Sequence, residues 1–136
     1  MEILGPEMEG YSYYYWSNKP RIASLLARKG DYKSAIETSL DAADRAERQN
    51  NPGTAANLFR QVGVFYGDLG DYTKALDYGT RSVKLFQQVG QDHVAMAGIG
   101  NLGSVYIALG DYSRAKECIG RALKSGRRLT SEAAVV

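Results

Sequence analysis

Apolar and small side chains recur at helical spacing in two matched stretches, Phe59, Val62, Gly63 and Tyr66, then Ile99, Leu102, Gly103 and Tyr106. Positions three and four apart share one face of an α-helix, so each stretch predicts a helix with one face turned inward. A second run with the same kind of spacing follows each, Ala75, Leu76, Val83 and Phe86 in one case and Ala115, Ile119, Ala122 and Leu123 in the other. The pattern predicts helices near 53–68, 72–89, 93–108 and 112–128.

Each such pair is separated by Gly-Asp-Tyr, and the same triplet occurs once more upstream. The copies are Gly30-Asp31-Tyr32, Gly70-Asp71-Tyr72 and Gly110-Asp111-Tyr112, followed by Ala35, Ala75 and Ala115. A fixed forty-residue step marks a stacked repeat array. Glycine can take the left-handed conformation that closes one helix, and aspartate can accept backbone hydrogen bonds at the start of the next. Gly-Asp is therefore read as a hairpin corner. Asn51 before Pro52 and Asp92 before His93 are expected to start the second and third leading helices. Gly63 opposite Ala75, Gly103 opposite Ala115 and Ala23 opposite Ala35 remove bulk where paired axes cross.

The run Ile99-x-x-Leu102-Gly103-x-x-Tyr106, then Gly110-Asp111-Tyr112, Ala115, Ile119 and Ala122, resembles the tetratricopeptide repeat. Phe59-x-x-Val62-Gly63-x-x-Tyr66, with Gly70-Asp71-Tyr72 and Ala75, is similar to a second copy. The usual period of that family is about 34 residues; a forty-residue step resembles its long-helix variety, which implies a longer second helix in each pair. The first copy departs from the pattern, with Lys19, Ile22, Ala23 and Leu26 at the aromatic and glycine positions and Pro20 inside the expected helix. An interior proline costs about 3 kcal/mol, so this helix is expected to start near Asn18 with Pro20 in its first turn, or to kink there.

The expected architecture is an all-α, right-handed α-solenoid of three helix-turn-helix hairpins. Residues 1–17 are read as an aromatic leader or cap, because Tyr11, Tyr13, Tyr14, Tyr15 and Trp16 suit a half-wet edge. Residues 18–128 form the array, with repeats at about 12–50, 51–90 and 91–129, and 130–136 is a tail or the start of a truncated further repeat.

Composition narrows the function. The chain has 136 residues, 44% hydrophobic, and a net charge of +2, which gives no concentrated basic face for nucleic acid. No apolar run approaches a membrane span, and the acidic, proline-broken opening is unlike a secretory signal. The single Cys118 cannot form an internal disulfide or build a zinc site, which favours a reducing, cytoplasmic location.

Chemistry is sparse. His93 is the only histidine and has no sequence-local partner, and Cys118 reads as a packed small side chain. Asp41, Asp44 and Glu47 interleave with Arg45 and Arg48 as a solvated charged face does. Lys116, Arg121, Lys124, Arg127 and Arg128 complement the dipole at the end of the last helix, with an acidic peptide as the rival reading. No catalytic residue, cofactor or metal is expected.

Stacked hairpins leave an extended concave groove lined by the leading helices. The resemblance implies that the residue before each Leu-Gly position points into it, which gives Arg21, Gln61 and Asn101. The same alignment adds Ser24, Asn57, Arg60, Val64, Ser104 and Ile107. Arg21, Arg28 and Arg60 favour an acidic or carboxylate-bearing partner through charge-assisted hydrogen bonds. The expected function is a non-enzymatic module that binds a protein or peptide segment in this groove. The alternatives are self-assembly into a homo-oligomer through exposed terminal hairpin faces, and a regulatory segment of a larger signalling protein.

Overall fold

The computed structural model describes residues 18–134, with side chains to Gly126. The aromatic leader, residues 1–17, lies outside the described residues. Residues 18–28 are helical and form α1, and Pro20 lies within them. The chain continues through α2 (Tyr32–Arg48), α3 (Pro52–Asp68), α4 (Tyr72–Gln88), α5 (Asp92–Leu109) and α6 (Tyr112–Ala134). The described residues are all helix and tight turn, and from α2 onward each helix packs chiefly on its neighbours in sequence. This is the all-α solenoid of three hairpins.

One device, a residue in the left-handed conformation, makes every turn among the described residues. Gly30, Gly70, Gly90 and Gly110 have φ between 77 and 84°, and Asn50 takes the equivalent place at 56°. Left-handed residues thus recur every twenty positions, a finer period than the forty-residue sequence step. After each of them the next backbone N–H reaches back five residues, as from Asp71 to the Tyr66 carbonyl at 2.9 Å and from Gln91 to that of Phe86 at 2.9 Å. These bonds satisfy carbonyls that a helix end otherwise leaves without a partner.

The aspartates then open the following helices. Asp31, Asp71 and Asp111 accept from the backbone N–H groups of Ser34, Lys74 and Arg114 at 3.1, 3.2 and 3.2 Å. Hydrogen bonds from Ser34 hold the Asp31 carboxyl below its ordinary pKa. Asn51 caps α3 through Thr54 N–H at 3.4 Å, with Pro52 at the first helical position. The start of α5 differs from the sequence expectation: its cap is Gln91, whose side chain makes no capping bond, and Asp92 is the first helical residue. Asp71→Ala is expected to cost about 1 kcal/mol by removing one cap, measured as a shift in the urea midpoint.

Helices α3 and α4 are both 17 residues long, so in the central hairpin the longer period is shared between the two helices, whereas in the last hairpin the second helix, α6 at 23 residues, is longer than α5 at 18. Helix α6 runs on to Ala134, whereas a forty-residue step from Gln88 would end it at 128. Thr130 stands where Gly90 turns the chain, and the left-handed residue is missing there.

Packing depends on absent side-chain bulk, as the sequence suggested. A Cβ on Gly63 would lie 3.2 Å from the Gly79 nitrogen and 3.3 Å from the Ala75 carbonyl oxygen. One on Gly103 would lie 2.8 Å from Ile119 Cγ1 and 3.4 Å from the Ala115 oxygen. Ala23 and Ala35 share a fully buried cluster with Val62. Among the described residues the two buried serines are satisfied: Ser82 Oγ donates to the Ala56 carbonyl at 2.8 Å, and Ser39 Oγ donates to Gln61 Oε1 at 3.1 Å.

Candidate functional site

The stack leaves a groove between the leading helices α3 and α5, floored by the second helix α4. One cavity of about 250 Å³ is lined by Arg60, Val64, Gly67 and Asp68 from α3, Ala75, Gly79 and Ser82 from α4, and Gly98, Asn101, Leu102 and Ser104 from α5. An adjoining cavity of about 350 Å³ shares Arg60, Gly98 and Asn101 and continues toward Gly53, Asn57, Gln91 and Val94. The α4 residues facing this cavity, Ala75, Gly79 and Ser82, are small, and Gly79 also makes room for Leu102 of α5.

Arg60 and Asn101 occupy the shared stretch, one on each wall. The Arg60 guanidinium donates to Asn57 Oδ1 at 2.7 Å, which holds it along α3 while leaving further N–H donors for a ligand. Asn101 and Ser104 are exposed on α5, and Val64 presents an apolar wall at 46% exposure. Asp68 lines the first cavity at the C-terminal end of α3, so the groove is basic at Arg60 and acidic at Asp68.

The other predicted residues are placed differently. Gln61 is half-buried, and its amide donates to the Pro20 carbonyl and to Ser24 Oγ, both at 2.8 Å, while its oxygen accepts from Ser39. Gln61 and Ser24 thereby fasten α1 and α2 to α3. Arg21 and Arg28 are exposed on α1, and Ile107 is exposed on α5; none of the three lines either cavity.

Sequence reasoning missed the glycines Gly53, Gly67 and Gly98 as groove residues, having assigned glycines to corners and close packing. A Cβ on Gly98 would come within 2.9 Å of Val83 Cγ2, so packing accounts for it. A Cβ on Gly53 or Gly67 would meet nothing within 4 Å. Their distinguishing signal was helical glycine with no corner and no opposing alanine.

The charged cluster on α2 is structural. Arg45 pairs with Asp41 at 3.6 Å and Arg48 with Asp44 at 2.7 Å, while Glu47 reaches across to Arg81 of α4 at 2.8 Å. Burial and the neighbouring Glu117 push the Cys118 thiol above its ordinary pKa, which disfavours the reactive thiolate. Among the described residues no helix is long and apolar enough to cross a membrane.

Comparison with known proteins agrees with this geometry. The solved TPR domain of Arabidopsis FLU superposes with a TM-score of 0.78 at 16% identity, covering 86% of this chain and 98% of that one. BtubC (BKLC) from P. vanneervenii superposes with a TM-score of 0.78 at 21% identity, covering 85% of this chain and 48% of that one. At these identities the likeness is one of fold. No curated protein matches the sequence significantly. The family model for the tetratricopeptide repeat matches residues 15–88 and again 54–128, in two overlapping registers that together take in the whole described stack up to α6. The chain belongs to the tetratricopeptide repeat family.

Proposed function

We propose that this chain captures an extended segment of a partner protein in the groove between α3 and α5. Family membership supports a protein-interaction module in general terms. The observation that carries the finer reading is the convergence of Arg60 and Asn101 on two adjoining cavities with a floor of small residues. An amide and a guanidinium across a narrow channel suit peptide carbonyls and carboxylates. The proposed contact set is Arg60, Asn101, Ser104, Val64 and Asn57, and the preferred segment carries an acidic group opposite Arg60. Gln61 and Ser24 fasten α1 and α2 to α3, which carries one wall of the groove, and Arg21 and Arg28 continue the basic character along α1.

The test uses peptides selected on the wild-type chain from a display library. Arg60→Glu is expected to weaken the selected peptide by at least about tenfold, because a charge-assisted hydrogen bond contributes about 1.5–3 kcal/mol. Asn101→Ala is expected to weaken it by about 2- to 10-fold, the range of a neutral hydrogen bond. Both side chains are exposed, so stability is expected to stay within about 0.5 kcal/mol of wild type. Unchanged affinity in both variants would move the site elsewhere.

A further inference from the structure

The α3 wall of the groove changes character along its length. Arg60, Val64 and Asp68 follow one another at four-residue intervals, and all three are exposed and line the same cavity. An α-helix rises about 1.5 Å per residue, so the steps are about 6 Å and the two charges stand about 12 Å apart along the axis. Neither forms an ion pair among the described residues.

Local stability gives no reason for the acid. Asp68 is the last residue of α3, where the helix dipole disfavours a negative side chain, and the last turn holds no basic residue to offset it. The forty-residue step puts Arg28 and Ala108 at the same place in the other leading helices, so the repeat itself does not call for a carboxylate there. Between the two charges the cavity is apolar. Val64 on one wall, Leu102 and Val105 on the other, and Ala75 and Gly79 beneath line about 250 Å³. About 150 Å³ is enough for a benzene molecule in an apolar protein cavity, so one leucyl or phenyl side chain fits.

Resting on the reading that this groove holds an extended partner segment, we infer that the segment carries an acidic, an apolar and a basic side chain at alternate positions, acidic-x-apolar-x-basic in either chain direction. Alternate side chains of an extended chain point the same way and lie about 6.6–6.8 Å apart, close to the step between Arg60, Val64 and Asp68. The acidic side chain pairs with Arg60, the apolar one enters the cavity beside Val64, and the basic one pairs with Asp68. A segment that is acidic throughout meets repulsion at Asp68 and a basic one meets it at Arg60, so the groove selects mixed charge around an apolar anchor.

The probes are peptides selected on the wild-type chain from the display library, with affinities followed by fluorescence anisotropy at low salt. An alanine scan of the tightest peptide is expected to find three sensitive side chains, each two residues from the next, with the apolar one in the middle. Asp68→Lys is expected to weaken that peptide by about fivefold or more, because like charges then face each other. Replacing the peptide's basic residue by Glu is expected to restore binding to the Asp68→Lys chain and to weaken binding to wild type. Asp68 is exposed and a lysine suits a helix C-terminus, so the variant is expected to keep at least the wild-type urea midpoint. Loss of affinity in Arg60→Glu with none in Asp68→Lys, sensitive positions spaced by four as a helical peptide would place them, or no rescue by the exchanged peptide overturns this inference and leaves the groove as the binding site. No selected peptide, or no response to either variant, removes the site and the inference together.

Discussion

Phe59→Ala is expected to destabilise the chain by about 3–5 kcal/mol, the range for deleting a buried phenyl ring from a core. Phe59 is 3% exposed and lies among Ala42, Ala43, Ala46, Ala55 and Leu58. Four of those five neighbours are alanines, whose side chains have no rotamers with which to fill the space a lost ring leaves. The ring also stacks on Tyr78 with centroids 6.1 Å apart, and the Arg81 guanidinium lies 4.2 Å from its centroid. Losing it therefore loosens α3 from both α2 and α4. Domains of this size are stable by only about 5–15 kcal/mol, so the loss is a large share of the total. Urea unfolding followed by circular dichroism measures it, and Ile107→Ala, at a position 47% exposed, is the control expected to change little.

The second large effect comes from adding bulk. Gly63→Leu is expected to overpack the central hairpin by about 1–3 kcal/mol or more. The atoms nearest to its added Cβ are backbone, the Gly79 nitrogen and the Ala75 oxygen, so a rotamer change cannot relieve the clash and the helices themselves must part. The same substitution four residues on behaves oppositely. Gly67→Leu meets open space, and replacing a helical glycine gains up to about 1 kcal/mol of helix propensity. Comparing the two urea midpoints separates a glycine that closes the hairpin from one that opens the groove.

Much of the fold was legible because local signals agreed with one another. Gly70, Asp71 and Ala75 each serve the same hairpin, one by its positive φ, one by its cap and one by its small size, and all three are short-range consequences of residue type. The inter-repeat turns were less legible. Asn50 takes the left-handed conformation without being glycine, and Gln91 caps α5 by backbone geometry alone, so neither advertises its place.

The site was only half legible for a related reason. Helical phase places Gln61, Asn101 and Arg21 at equivalent positions, but phase does not say what the neighbouring repeat puts opposite them. Gln61 finds Ser24, Ser39 and the Pro20 carbonyl within reach and is drawn into the stack, whereas Asn101 meets no such group on α3 and remains on the groove wall. Arg60 and Asn101 come together through the approach of two helices forty residues apart. That distance depends on the glycines of α4 and α5, not on the two polar residues themselves.

The central claim is that the channel between α3 and α5 is left open for a partner. Gly67→Leu tests it most directly, because Gly67 lines the channel and a Cβ there meets nothing within 4 Å, so the added side chain is expected to enter the channel and leave the packing of the stack intact. The measurement is the affinity of a peptide selected on the wild-type chain, taken on the same preparation whose urea midpoint has been determined. The account predicts a midpoint equal to or above that of wild type together with loss of the peptide. Full retention of the peptide by a stably folded Gly67→Leu chain would contradict it.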